Sequence, residues 1–260
     1  MINSNTILKR ANILLALILM FAPADSGLLW LVNFDKRLEA DYAPQSLVQI
    51  DGYRIRSEPK EAYEQMLNDM KKADISVTLQ SAYRPYKYQQ TLLNRKINSL
   101  QTLGHNKSEA QFLATKTVAP PGASEHQLGL AIDISSDGKL STCFGDTEPG
   151  IWIANNCHNY GFIVRYPKDK TKITKIVYEP WHLRYVGLPH SAYMYEKHMC
   201  LEEYIEHLQE AGLLIYWIDD TTYYRVSYSK KAPEGEGAFD VSSIGKEGTY
   251  IVTEIREYFR

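Results

Sequence analysis

Two short segments constrain this chain more than its composition does: Ser124 to Asp133, S-E-H-Q-L-G-L-A-I-D, and Glu179 to Arg184, E-P-W-H-L-R. Together they carry two histidines, an aspartate and a glutamate, the parts needed to hold one catalytic zinc. A hydrolytic zinc site keeps three nitrogen or oxygen ligands and leaves the fourth position open. His126, Asp133 and His182 fill that count. A water in the open position must lose a proton near neutral pH, which the metal makes easier and a nearby carboxylate completes as general base. Glu179 is the candidate base.

The spacing also restricts the backbone. His126 and Asp133 stand an odd number of positions apart, so on one unbroken strand they would face opposite ways and could not share a metal. The apolar run Leu130 to Ile134 reads as the strand, while Pro120-Pro121-Gly122 and Gly129 put His126 in the irregular segment before it. Glu179 precedes Pro180 and is biased towards an extended conformation, and Trp181 to Val186 has strand-like composition. His182 is then expected to project from a strand with Glu179 at its mouth.

These patterns, S-x-H-x-x-G-x-A-x-D followed by E-x-W-H-x-R, resemble the VanY-type D-alanyl-D-alanine carboxypeptidases, and every fixed position of both is met. Ser81-Ala82-Tyr83-Arg84 with Gln89, Tyr160-Gly161-Phe162 and Arg165-Tyr166-Pro167 resemble the same family, so the likeness runs from about Trp30 to about Gly187. The resemblance implies an α+β fold with an antiparallel central sheet, of the hedgehog/DD-peptidase type. It implies one zinc per chain on His126, Asp133 and His182, with Glu179 as base. Arg84 would pair with the substrate's terminal carboxylate or stabilise the developing oxyanion. The substrates it implies are peptidoglycan stem peptides or their precursors, cut at the C-terminal D-alanine.

Gln89 and Ser124 are candidate substrate-binding groups, although either residue type also closes turns or caps helices. Trp181 serves equally well as a substrate contact or as packing that orients His182. Three other readings compete: an L,D-carboxypeptidase or an endopeptidase on the same site, a zinc module whose metal only stabilises the fold, and a wall-binding protein whose function lies in the C-terminal tail. A base beside an open metal position argues against the purely structural metal.

The chain of 260 residues, 44% hydrophobic and 23% charged, has material for a core, and a net charge of −2 gives no electrostatic footprint for nucleic acid. Residues 1–29 read as a signal peptide or N-terminal anchor. Lys9 and Arg10 precede the apolar run Ile13 to Phe21, and Ala22-Pro23-Ala24 offers a cleavage site, so the expected location is the cell envelope or beyond. The zinc domain is expected over 30–190 and a C-terminal α/β extension over 191–260, either extending the catalytic sheet or forming a small appendage. Helices are expected over Glu61 to Lys72, Tyr86 to Leu103, Gln111 to Thr117 and Ala192 to Ala211. Strands are expected at Ile75 to Leu79, Leu213 to Ile218, Tyr223 to Ser229 and Gly248 to Ile255, with a loop over Pro233 to Gly237. Of Cys143, Cys157 and Cys200, the first two are nearest in sequence and could pair only if geometry allowed.

Overall fold

The computed structural model describes residues 25–232, 239–246 and 248–258, and packing divides them into two units. One spans 31–202; the other joins the described residues up to Trp30 to those from Glu203 onward. Residues 1–24 and the whole of the expected Pro233 to Gly237 loop lie outside the described residues.

The larger unit opens with a hairpin of β1 (Leu47–Ile50) and β2 (Tyr53–Arg56). Both turn residues, Asp51 and Gly52, have positive φ, the requirement of the tight turn that matches strand twist. Helix α1 (Glu58–Lys72) starts three residues before the expected Glu61, with Pro59 in its first turn, acidic residues at its start and lysines at its end. Tyr63, Met66 and Met70 fall on one face and are buried. After β3 (Thr78–Ser81) come α2 (Tyr86–Thr102) and α3 (Lys107–Thr115). The last begins four residues ahead of the expected Gln111 because Asn106 caps it, its side-chain oxygen accepting from Glu109 N–H at 3.0 Å. The order continues with β4 (Ala131–Ser135), α4 (Glu148–Asn156), β5 (Phe162–Tyr166), the single turn α5 (Thr171–Thr174), β6 (Glu179–Tyr185) and α6 (His190–Glu196).

Strands β3-β4-β6-β5 form one antiparallel sheet, so the expected α+β class holds. Ile132, Ile134 and Leu183 join Tyr63, Met66 and Met70 of α1 in the core. Since side chains alternate along a strand, Asp133 and His182 must then face the other way. That second face is also buried, and it carries the site.

The expected single helix over Ala192 to Ala211 is a correction: α6 ends at Glu196 and α7 (Leu201–Ala211) starts afresh. His198 between them sits at φ 53, a left-handed conformation that no α-helix continues through. Cys143 is exposed and Cys157 is buried in the core, and no disulfide joins them.

In the smaller unit α7 buries Tyr204, Ile205 and Leu208. Strands β7 (Leu213–Trp217), β8 (Thr222–Ser229), β9 (Phe239–Ser243) and β10 (Tyr250–Glu257) make a separate antiparallel sheet in the order β7-β8-β10-β9, so the tail does not extend the catalytic sheet. Residues from Asp25 belong to this unit: Ser26 N–H donates to the Val241 carbonyl at 2.7 Å, Ser243 N–H donates to Asp25 Oδ1 at 2.7 Å, and Leu29 is buried. The targeting segment expected over 1–29 therefore overlaps folded structure at its last five residues. Among the described residues no helix is long and apolar enough to cross a membrane.

Candidate metal centre

The centre is assembled from two adjacent strands and one turn. Asp133 on β4 and His182 on β6 are direct cross-strand partners, so their side chains share a face, and His182 Nδ1 lies 2.9 Å from Asp133 Oδ1. His126 comes from a one-turn 3-10 helix, Glu125–Leu128, ahead of β4. That turn ends at Gly129 with φ 72, where a Cβ would also press on Arg56, Leu47 and Pro44. The glycine of the motif is thus needed twice, for backbone freedom and for room. Gln127 secures the turn by donating to the carbonyls of Glu39 and Tyr42 at 2.8 and 3.2 Å.

The donor set fits a zinc ion. His126 Nε2, His182 Nδ1 and the Asp133 carboxylate converge, with separations of 3.3 Å between the nitrogens and 3.2 Å from His126 Nε2 to Asp133 Oδ2. Tetrahedral zinc with bonds of about 2.0–2.1 Å spaces its ligand atoms about 3.3 Å apart. The far nitrogen of His126, Nδ1, is 2.6 Å from the Ala82 carbonyl, which fixes its proton there and leaves Nε2 as a lone pair facing inward.

Electrostatics point the same way. Burial, with Arg84 adding to it, pulls His126 down to about 4. For His182 burial acts downward too, but Asp133 and Glu125 outweigh it and push the imidazole up to about 9. Asp133, despite a burial that works against its charge, is held well below the usual carboxylate range by the two histidines. An ionised aspartate beside an imidazole that seeks a proton is a place built for positive charge.

Glu179 reaches the same face by an irregularity that spacing does not reveal. Three positions from His182, it would point the other way on a regular strand. The pairing of β5 with β6 steps from Val164↔Leu183 to Tyr166↔Glu179, so Pro180, Trp181 and His182 of β6 oppose the single Arg165 of β5. Glu179 is paired there with Tyr166, whose ring lies 5.0 Å from that of His182, and its carboxyl is within electrostatic reach of His182, Asp133 and Arg84. Burial pushes the Glu179 carboxyl up to about 7, while His182 and Arg84 pull it back. Arg84 follows a second irregularity, between Leu79 and Ser81 in the pairing of β3 with β4. Its N–H donates to the His126 carbonyl at 3.1 Å, and one guanidinium nitrogen stands 3.5 Å from Asp133 Oδ2.

The remaining expected residues are placed as follows. Gln89 is buried on the first turn of α2, where its amide donates to the Ala119 carbonyl at 2.8 Å and its Oε1 is left without a partner. Ser124 is buried directly before the 3-10 turn and makes no side-chain cap hydrogen bond to it. Trp181 is half-buried and packs against the hydrophobic core, the placement that the packing reading of its two alternatives requires.

Sequence reasoning passed over Glu125, Arg184 and Glu202. Glu125 and Arg184 are wholly buried, as is Arg165, and Glu125 Oε1 accepts from Arg165 at 2.7 Å and pairs with Arg184 at 2.8 Å. Arg165 also grips Glu202 through both terminal nitrogens at 2.8 and 2.7 Å. Ala131 is the cross-strand partner of Arg184, and its small side chain leaves that face open for the guanidinium. The fixed alanine of one motif and the fixed arginine of the other were the available signal.

Three converging buried donors, with a buried carboxylate and an arginine beside them on an α+β scaffold, fit a zinc peptidase. A profile of the VanY family, described as D-alanyl-D-alanine carboxypeptidase, matches residues 52–188. YodJ of Bacillus subtilis (strain 168), provisionally named a carboxypeptidase, is 38% identical over 197 residues, covering 71% of this chain and 69% of that protein. The crystal structure of a glutamate-to-alanine variant of the vancomycin resistance D,D-pentapeptidase VanY in complex with Zn(II) is 38% identical, with a TM-score of 0.62 over 68% of this chain and 98% of that one. The structure of the LdcB LD-carboxypeptidase is 33% identical, with a TM-score of 0.62 over 72% of this chain and 98% of that one. This chain belongs to the VanY family of D-alanyl-D-alanine carboxypeptidases and is a zinc-dependent metallopeptidase.

Proposed function

We propose that the chain removes the C-terminal D-alanine from peptidoglycan stem peptides, with His126, Asp133 and His182 holding the metal, Glu179 acting as base and Arg84 reading the substrate. The observation that supports this is the Glu179 carboxyl, raised to about 7 by burial and within electrostatic reach of His182, Asp133 and Arg84. When bound, zinc supplies Lewis acidity for the scissile carbonyl and acidifies a water towards neutrality. Glu179 takes that water's proton on its carboxylate and hands it to the leaving amine, so the peptide is cut with no covalent enzyme intermediate. Arg84, held by its backbone bond to the His126 turn, pairs with the substrate's terminal carboxylate or with the oxyanion. Gln89 and Ser124 line the approach, and Trp181 holds β6 in place behind His182.

The basic and apolar N-terminal residues, Lys9-Arg10 and Ile13 to Phe21, support export to the envelope, where such peptides are exposed. Mass spectrometry of defined muropeptides treated with the purified protein tests the reading. Loss of one D-alanine from a pentapeptide, abolished by a chelator and indifferent to penicillin, is the expected result; chelator-resistant, penicillin-sensitive cleavage would refute it. The likeness to LdcB supports one second reading, an L,D-carboxypeptidase, for which the tetrapeptide would be trimmed instead.

A further inference from the structure

Glu125 takes no part in the mechanism above, yet its carboxylate is arranged asymmetrically in a way that ion pairing alone does not require. Both arginine contacts fall on one oxygen, Oε1. The other, Oε2, is buried without a hydrogen-bond partner. His182 Nε2 is likewise buried without a partner, and the two orphans face each other across 3.8 Å. Since the opposite ring nitrogen, Nδ1, is the one turned towards Asp133 and His126, an imidazole that ligates through Nδ1 must carry its proton on Nε2. A buried N–H left unpaired is costly, and Glu125 Oε2 is the acceptor aimed at it.

We infer that Glu125 is the positioning residue of His182: it accepts the Nε2 proton, fixes the ring's orientation and tautomer, and so presents Nδ1 to the metal. The two arginines hold the carboxylate by one oxygen and leave the other for the histidine. Arg165 is in turn pinned by both oxygens of Glu202, which gives the cluster two cations and two anions and keeps it near neutrality in a buried place. The two ligand histidines are therefore backed differently. His126 donates to a neutral backbone carbonyl, whereas His182 donates to a carboxylate, which makes it the more basic ligand.

This inference rests on the metal site proposed above, and its test separates the two. The zinc content and zinc affinity of the wild-type full chain are measured first by chelator competition; absence of zinc binding would sink the site itself and with it this role. Given binding, Glu125→Gln is expected to weaken zinc affinity by about 10–100-fold, the usual effect of losing such a partner. Equal affinity in a folded Glu125→Gln protein overturns the inference, because a carboxylate that only neutralised arginines would alter stability and leave the metal's dissociation constant alone. Should that variant fail to fold, nitrogen-15 spectra of the zinc-loaded wild type decide. A slowly exchanging, strongly deshielded proton on His182 Nε2 is expected, and a freely exchanging one overturns the inference.

Discussion

In the sheet β3-β4-β6-β5 every residue of β4 is buried, charged groups lie on the buried face, and two of its three pairings carry register shifts. In the sheet β7-β8-β10-β9 the register runs without interruption through all three pairings, and the edge strand β7 exposes Leu213, Ile215 and Trp217. Both sheets are four-stranded and antiparallel, so strand number and direction are not what separates them. A regular ladder can only alternate its side chains, and it satisfies itself with one buried face. The site's sheet departs from that regularity beside its functional groups, with register shifts at Glu179 and ahead of Arg84.

The largest expected effect tests the bulged strand. Glu179→Gln should lower kcat by about 10²–10⁴-fold while zinc content stays normal, whereas His182→Ala should lose metal and activity together. Paired zinc analysis and peptide hydrolysis check this; a Glu179→Gln protein without zinc would mean that Glu179 is a ligand. The same carboxyl gives the sign of the pH dependence. A base must be unprotonated, so wild-type kcat/KM should fall as pH drops through about 7, or lower once the cation's charge is added.

The buried charges of the first sheet and the rim charges of the second should differ next. Arg165→Met leaves Glu125 and Glu202 short of a partner in the interior and should destabilise by about 3–5 kcal/mol in urea unfolding. Arg84 comes third. Replacing it with alanine should cost about 10²–10³-fold in kcat/KM if it stabilises the oxyanion, for free and amidated peptides alike. If it reads the carboxylate, amidation should slow the wild type sharply and the variant little.

Acid should expose the same contrast. Burial works against the charges of Glu125 and Glu202, but Arg165 for both and Arg184 for Glu125 hold them below the usual carboxylate range. Their contribution is therefore complete above the unfolded value of about 4.3 and is lost as pH falls through the lowered folded values. Urea midpoints of the larger unit should drop below about pH 4, and Glu202→Gln should flatten that fall. The smallest effect is expected in the second sheet. The Arg225–Glu254 pair at 2.8 Å, with Arg225 43% exposed, should be worth about 0–1 kcal/mol when Arg225 becomes methionine. A loss there as large as that from Arg165→Met would show that exposure does not govern these pairs.

The convergence of His126, Asp133 and His182, the strand at Leu130 to Ile134, the turn origin of His126 and the α+β class were legible in the sequence, because residue type, strand alternation and glycine placement are local constraints. So was the helical period of α1, within a few residues at its start. Three things were decided only when distant segments met. The facing of Glu179 depends on how β6 pairs with β5, since register is a property of two strands and not of one. The break at His198 depends on a single left-handed residue that apolar spacing does not mark. The Glu125, Arg165, Arg184 and Glu202 cluster draws on four separate stretches of chain. Charged residues read as surface until tertiary packing supplies the partners that make burial tolerable.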